Sequence, residues 1–131
     1  MRIAVHGLMC ALTLSKPDNE GWMSTAVDVE VPSFQGQFRC TIELQEWKQF
    51  IRVLQRLSDS VGKEVNESWG NMEANVEFGF TLRKLGAVEG TYKFSSDNFS
   101  LGPVLSGSFQ ADQTFLAAWL RDAQEVLENA R

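Results

Sequence analysis

The sequence has little of what metal sites and nucleic-acid sites need. It contains one histidine, two cysteines and three prolines, and 17 acidic residues outnumber 12 basic ones, which gives a net charge of −5. A basic stripe for phosphates is not expected, so a nucleic-acid partner is disfavoured. Cys10 and Cys40 have no CxxC or HxxxH companion, which argues against a zinc site. No apolar run reaches the length of a membrane span, and no membrane partner is predicted.

Catalytic motifs are missing as well. The glycines do not form a phosphate loop between a strand and a helix. No second histidine or acid is placed near His6 by spacing, and residues 106–108 lie in a strand pattern rather than a nucleophile elbow. Glu73 and Glu77 would stand roughly 13 Å apart on one strand, too far for a glycosidase pair. We therefore expect no enzyme, no catalytic residue, no metal site and no cofactor.

The chain length of 131 residues predicts a single domain spanning 1–131. Cys10 and Cys40 fall at inward strand positions, which favours reduced core thiols, with a disulfide as the alternative. The apolar run from Ile3 resembles a signal peptide only faintly, because His6 and Gly7 interrupt it and no cleavage site follows. A cytoplasmic location is therefore expected.

One amphipathic helix is predicted over residues 43–61. Its apolar residues recur at spacings of three and four, while the opposite face, including Glu46, is polar. Gly62 follows at the position of a left-handed C-cap. The predicted stripe comprises Trp47, Phe50, Ile51, Leu54, Leu57, Ser58 and Val61. Burying each large apolar side chain is worth roughly 1.5–3 kcal/mol, so the helix needs a broad apolar partner.

Strands with one apolar face supply that partner. Period-two alternation predicts strands over 3–14 (with a bend at Gly7), 22–31, 34–42, 72–83, 88–95 and 99–109. Residues 63–71 are polar and are predicted as a loop. A second helix is predicted from an N-cap at Asp112. The expected fold is α+β: a two-layer sandwich in which two helices cover one face of a largely antiparallel sheet of about six strands, in βββα-βββα order.

Acidic residues are segregated along the chain. Residues 17–38 hold four acids and no Lys or Arg, and residues 64–82 repeat that composition. A surface that combined them would attract a basic protein, although simple solubility explains the pattern too. The predicted partner-binding residues are Asp28, Glu30, Glu73 and Glu77.

Several landmarks resemble the WapI-like immunity proteins, small bacterial proteins encoded beside polymorphic contact-dependent toxins. They are Gly21-Trp22 opening a strand, a Phe-rich strand running into the helix at Glu43, the later hairpin strands, and the stretch 112–116 (Asp-Gln-Thr-Phe-Leu) before the last helix. The resemblance covers nearly the whole chain. It implies a cytoplasmic inhibitor that neutralises a toxin by binding, with no cofactor.

Two functional hypotheses follow. The first is a non-enzymatic immunity protein that contacts a basic toxin through the acidic residues. The alternative is a structural or adaptor domain, which could be a homodimer joined through an uncovered sheet face or edge strand. A small-ligand carrier ranks third, because the polar outer faces of the strands offer no apolar pocket.

Overall fold

The described part of the chain folds into eight strands and two α-helices in the order ββββα-ββββα. The computed structural model describes residues 1–130. The first half comprises β1 (Arg2–Val5), β2 (Leu8–Leu14), β3 (Trp22–Val31), β4 (Phe34–Glu43) and α1 (Leu44–Asp59). The second half comprises β5 (Val65–Gly70), β6 (Val76–Leu82), β7 (Ala87–Phe94), β8 (Leu105–Asp112) and α2 (Thr114–Asn129).

The strands form two four-stranded antiparallel sheets, β1-β2-β3-β4 and β5-β6-β7-β8. The α+β class and the two helices are confirmed, but the prediction of one sheet of about six strands was wrong. The first extra strand arises because the bend at Gly7 divides residues 2–14 into a hairpin. The second is β5, which we predicted as a loop because its residues are mostly polar. Its inward side carries Val65, Glu67 and Trp69, and Glu67 pairs there with Arg56 of α1.

The two sheets meet at a single bridge between His6 and Gln110. The Gln110 N–H donates to the His6 carbonyl oxygen at 3.0 Å. The next residue, Gly7, has φ 94°, and a Cβ there would lie 3.0 Å from the Ser108 carbonyl oxygen. Glycine therefore permits both the hairpin turn and the close approach of the second sheet.

Helix α1 begins one residue later and ends two residues earlier than predicted. Glu43 and Glu46 form a capping box, in which each accepts a backbone N–H that the first turn leaves unpaired. The predicted core positions Trp47, Phe50, Leu54 and Leu57 are buried, and Val53 joins them. Val61 lies beyond the end of the helix and is exposed.

The helices pack against each other between the halves. Helix α1 contacts β4 and β5, while α2 contacts β1 and β8. The Trp47 indole N–H donates to the Ala123 carbonyl oxygen of α2 at 2.9 Å, and the Trp69 indole N–H donates to the Glu46 carbonyl oxygen at 2.8 Å. These bonds join α1 to α2 and to the second sheet, so α1 is the element that links the two halves.

Phe34 and Gly36 of β4, and Phe99 and Leu101 further along the chain, were predicted to face inward and are not buried. Residues 34–37 of β4 are exposed on both sides of the strand, because β4 is an edge strand whose far end no other element covers. Phe99 and Leu101 do not belong to the last strand, which starts at Leu105. Residues 95–104 form a loop that hydrogen-bonds to the turn 71–75, and this connection replaces strand pairing there.

Candidate partner-binding surface

Asp28 and Glu30 lie side by side on the outward face of β3. Alternation places them opposite the buried side of the strand, and both are exposed. Two residues along a strand separate them by roughly 7 Å. Met9 of β2 and Gln35 of β4 are the neighbours of Glu30, and a shallow groove of about 590 Å³ runs across this face. Neither acid forms an ion pair within residues 1–130.

Glu77 lies on the outward face of β6, in the other sheet. Its carboxylate stands 3.9 Å from the ammonium group of Lys93, and both side chains are partly exposed. An exposed pair of this kind contributes about 0–1 kcal/mol. Glu77 remains accessible, but a neighbouring positive charge offsets its field. Because Glu77 belongs to β6 and Asp28 and Glu30 belong to β3, the predicted contact residues are divided between the two sheets.

The two acidic stretches differ in their partners. Glu64, Glu67 and Glu77 of the second stretch each have a basic neighbour. Asp18 of the first stretch accepts the backbone N–H groups of Glu20 and Trp22. Among the residues that the structure describes, no acid of the first stretch has a Lys or Arg partner. The acids of the first stretch therefore form fewer ion pairs, and the base nearest to Asp28 and Glu30 in the groove is Arg2, which lines it with them.

Glu73 lies in the turn 71–75 and not on the strand with Glu77. One of its carboxylate oxygens is buried without a hydrogen-bond partner in the described part of the chain. Glu46 lies nearby and accepts the backbone N–H groups of Glu43, at 2.9 Å, and of Met72. Burial raises the pKa of Glu46, and the carboxylates of Glu73 and Glu43 add to that increase.

Sequence reasoning placed Glu46 on the water-facing side of α1. It is buried because the capping box and the Met72 N–H draw its carboxylate toward the protein. A glutamate at the third helical position after an N-cap is the sequence signal that could have revealed this role.

Three large apolar side chains are exposed at the end of the molecule where Glu73 lies. Met72 is 71% exposed, Phe99 62% and Leu101 85%. The Phe99 N–H donates to the Glu73 carbonyl oxygen at 2.5 Å, which ties the loop 95–104 to the turn. We call Met72, Phe99 and Leu101 the end patch. Its members were all predicted to face inward, because their spacing continues the alternation of the neighbouring strands.

Comparison with protein families assigns the chain. The model of the immunity protein WapI-like family matches residues 2–130. The chain belongs to the WapI-like immunity protein family. The match includes every strand and both helices of this WapI-like protein, and it confirms the resemblance seen in the sequence. A comparison with curated proteins gives no significant match.

The cysteines of this WapI-like protein are free, and burial raises the pKa of both the Cys10 and the Cys40 thiol to about 12. Both are therefore protonated at neutral pH and poorly reactive. Within residues 1–130, no three His, Cys, Asp or Glu side chains are grouped to hold a metal ion. Neither helix has the length and apolar character needed to cross a bilayer.

Proposed function

We propose that this protein is a cytoplasmic immunity protein that neutralises a toxin by binding it directly, without catalysis or a cofactor. The family match over residues 2–130 carries this proposal. The proposed contact residues are Asp28, Glu30, Glu73 and Glu77. The proposed partner is a basic toxin domain.

Electrostatics gives the proposed mode of recognition. Asp28 and Glu30 are exposed and lack ion-pair partners within residues 1–130. Unpaired charges on one face raise the rate at which an oppositely charged protein arrives, and salt screens this attraction. Inhibition by occlusion then requires only that the bound immunity protein cover the toxin's working surface.

The test is a binding measurement with the product of the neighbouring upstream gene, purified as an inactivated toxin domain. We expect a 1:1 complex that salt weakens. Asp28→Lys combined with Glu30→Lys should slow association at low salt by about tenfold or more. Glu125→Lys combined with Glu128→Lys, which changes the net charge by the same amount at exposed positions on α2, is the matched control. If the wild-type protein does not bind, the proposed function is wrong.

The exposed edge of β4 favours a second candidate, a structural homodimer. Residues 34–37 are exposed, and Phe34 presents 66% of its surface to solvent. Uncovered edge strands pair readily with a second copy. Light scattering distinguishes the two functions: a dimer that Phe34→Lys dissociates, together with no toxin binding, would favour the structural role.

A further inference from the structure

The end patch combines exposed apolar surface with a fixed backbone. Ala74, Phe99 and Ser100 adopt left-handed φ values of 59°, 59° and 56°. Residues other than glycine rarely adopt this conformation, which is retained only where the surrounding structure enforces it. Strained backbone of this kind is concentrated at binding and switch sites. Phe99 and its neighbours are therefore held in place at a conformational cost.

A buried network of asparagine side chains holds these residues in the left-handed conformation. The Asn71 side-chain oxygen accepts the backbone N–H groups of Asn75 and Val76 at 2.8 and 3.0 Å. The Asn75 amide nitrogen donates to the Ser95 carbonyl oxygen at 3.1 Å and to the Asn98 side-chain oxygen at 3.3 Å. Hydrogen bonds from the buried Asn75 side chain therefore join the turn 71–75 to the loop 95–104. A rigid apolar surface loses little entropy when a partner covers it.

The charges around the end patch define the partner. Glu73 follows Met72 directly, and Asp97 lies in the same loop as Phe99 and Leu101. The turn 71–75 and the loop 95–104 contain no Lys or Arg. Lys16 lines the same shallow groove as Glu73, together with Asp18. The surrounding charge is therefore mainly negative, and it complements a positively charged rim.

We propose that the end patch is the apolar anchor of the toxin interface. Its partner is a protein surface with an apolar pocket bordered by Lys and Arg. Met72 and Leu101 enter that pocket, while Glu73 and Asp97 face the basic border. This inference rests on the proposed function and names the surface that performs it. Interface energy is concentrated in a few residues that fill desolvated pockets on the partner.

The experiment compares Met72→Ser with Leu101→Ser, singly and together, against Leu85→Ser. Leu85 is 97% exposed in the turn between β6 and β7, at the opposite end of the second sheet, so it is a matched control for a lost exposed leucine. Phe99 is left unchanged because its positive φ makes substitution effects ambiguous. Calorimetry with the inactivated toxin domain encoded upstream measures Kd, and thermal unfolding confirms that every variant is folded.

We expect each single substitution to weaken binding about tenfold and the pair about 100-fold, with Leu85→Ser unchanged. Wild-type binding that both end-patch variants retain would overturn this inference and leave the proposed function standing. Wild-type protein that fails to bind would overturn both. A wild-type dimer that the double variant dissociates, while toxin binding is kept, would assign the end patch to self-association instead and overturn the inference.

Discussion

The two halves of the chain share one order of elements but build their cores from different side chains. The first sheet buries aliphatic and sulfur-containing residues: Ile3, Leu8, Cys10, Leu12, Met23, Val27, Val29, Val31 and Ile42. The second sheet buries mostly aromatic rings: Trp69, Phe78, Phe80, Tyr92, Phe94 and Phe109. Helix α1 contributes Trp47 and Phe50 to the second set, although it belongs to the first half.

This difference shows that the ββββα order does not require one kind of core. Inward positions at every second residue are enough to define each sheet. Large aromatic rings leave less free space around them than aliphatic side chains, so the packing of the second sheet is the more sensitive to added or lost volume. Phe109 lies over Gly90, for example, and packs edge-on against Phe80 at 6.1 Å between ring centroids. We therefore expect the second half to tolerate changes in side-chain volume less well than the first.

The largest expected effect is the loss of a central ring. Phe80 contacts the rings of Phe78, Phe109 and Trp119. Phe80→Ala should lower the free energy of unfolding by about 3–5 kcal/mol. Leu12→Ala also truncates a fully buried side chain, in the first sheet, and should cost less, about 2–3 kcal/mol. Urea unfolding measures both, and equal losses would contradict the difference between the sheets.

A methyl group added to each sheet gives the next test. A Cβ at Gly90 would lie 2.0 Å from Cζ of Phe109, whose ring is itself held by Phe80 and Trp119. Gly90→Ala should therefore destabilise the protein by roughly 3 kcal/mol. A Cβ at Gly36 on β4 would meet nothing within 4 Å. Gly36→Ala should change thermal unfolding by no more than about 0.5 kcal/mol, and a large loss there would show that β4 is covered.

The link between the halves can be weakened by Trp47→Phe. This change removes the indole N–H that donates to the Ala123 carbonyl oxygen, which lies inside α2 and keeps its helical partner. The lost hydrogen bond and the smaller ring should together lower the free energy of unfolding by about 2 kcal/mol. Chemical denaturation followed by fluorescence and by circular dichroism would measure it. A fully neutral result would mean that helix packing alone joins α1 to α2.

The smallest expected effect is a pH dependence at the contact between α1 and the turn 71–75. Burial raises the pKa of Glu46 above its ordinary value of 4.5, so the folded state binds this proton more tightly than the unfolded state. The contribution of Glu46 to stability is therefore greatest at acidic pH and falls as pH rises through its raised pKa. Glu46→Gln cannot titrate, so the stability of the wild type relative to this variant should fall as the pH rises above 4.5. A constant difference would contradict the raised pKa.

Much of this fold was predictable from local patterns. The alternation in β3 and β6 places the buried residues of these strands correctly, because both strands are covered along most of their length. The stripe of α1 locates most of its buried residues but omits Glu46 and Val53. The strand β5 was not predicted because most of its residues are polar, so the inward position of Trp69 does not form part of an alternating apolar pattern. Phe34, Phe99 and Leu101 were misplaced because alternation reports which side a residue takes, and it does not report whether anything covers that side.

The acidic surface was only partly predictable. Asp28 and Glu30 follow from strand alternation alone. The ion pairs of Glu67 and Glu77 depend on Arg56 and Lys93, which other elements bring into place. The position of Glu73 in a turn depends on the two asparagines that fasten the turn to the loop 95–104. Long-range hydrogen bonds of that kind leave no periodic trace in a sequence.

The order of the strands also has a consequence for folding kinetics. Each strand pairs with its neighbour in sequence, and apart from the His6–Gln110 bridge no pairing in the described chain joins distant strands. Hairpins between consecutive strands close short loops and form quickly. We therefore expect strand pairing to be complete early within each half. The slow event in refolding should be the docking of the two preformed sheets onto the α1–α2 pair.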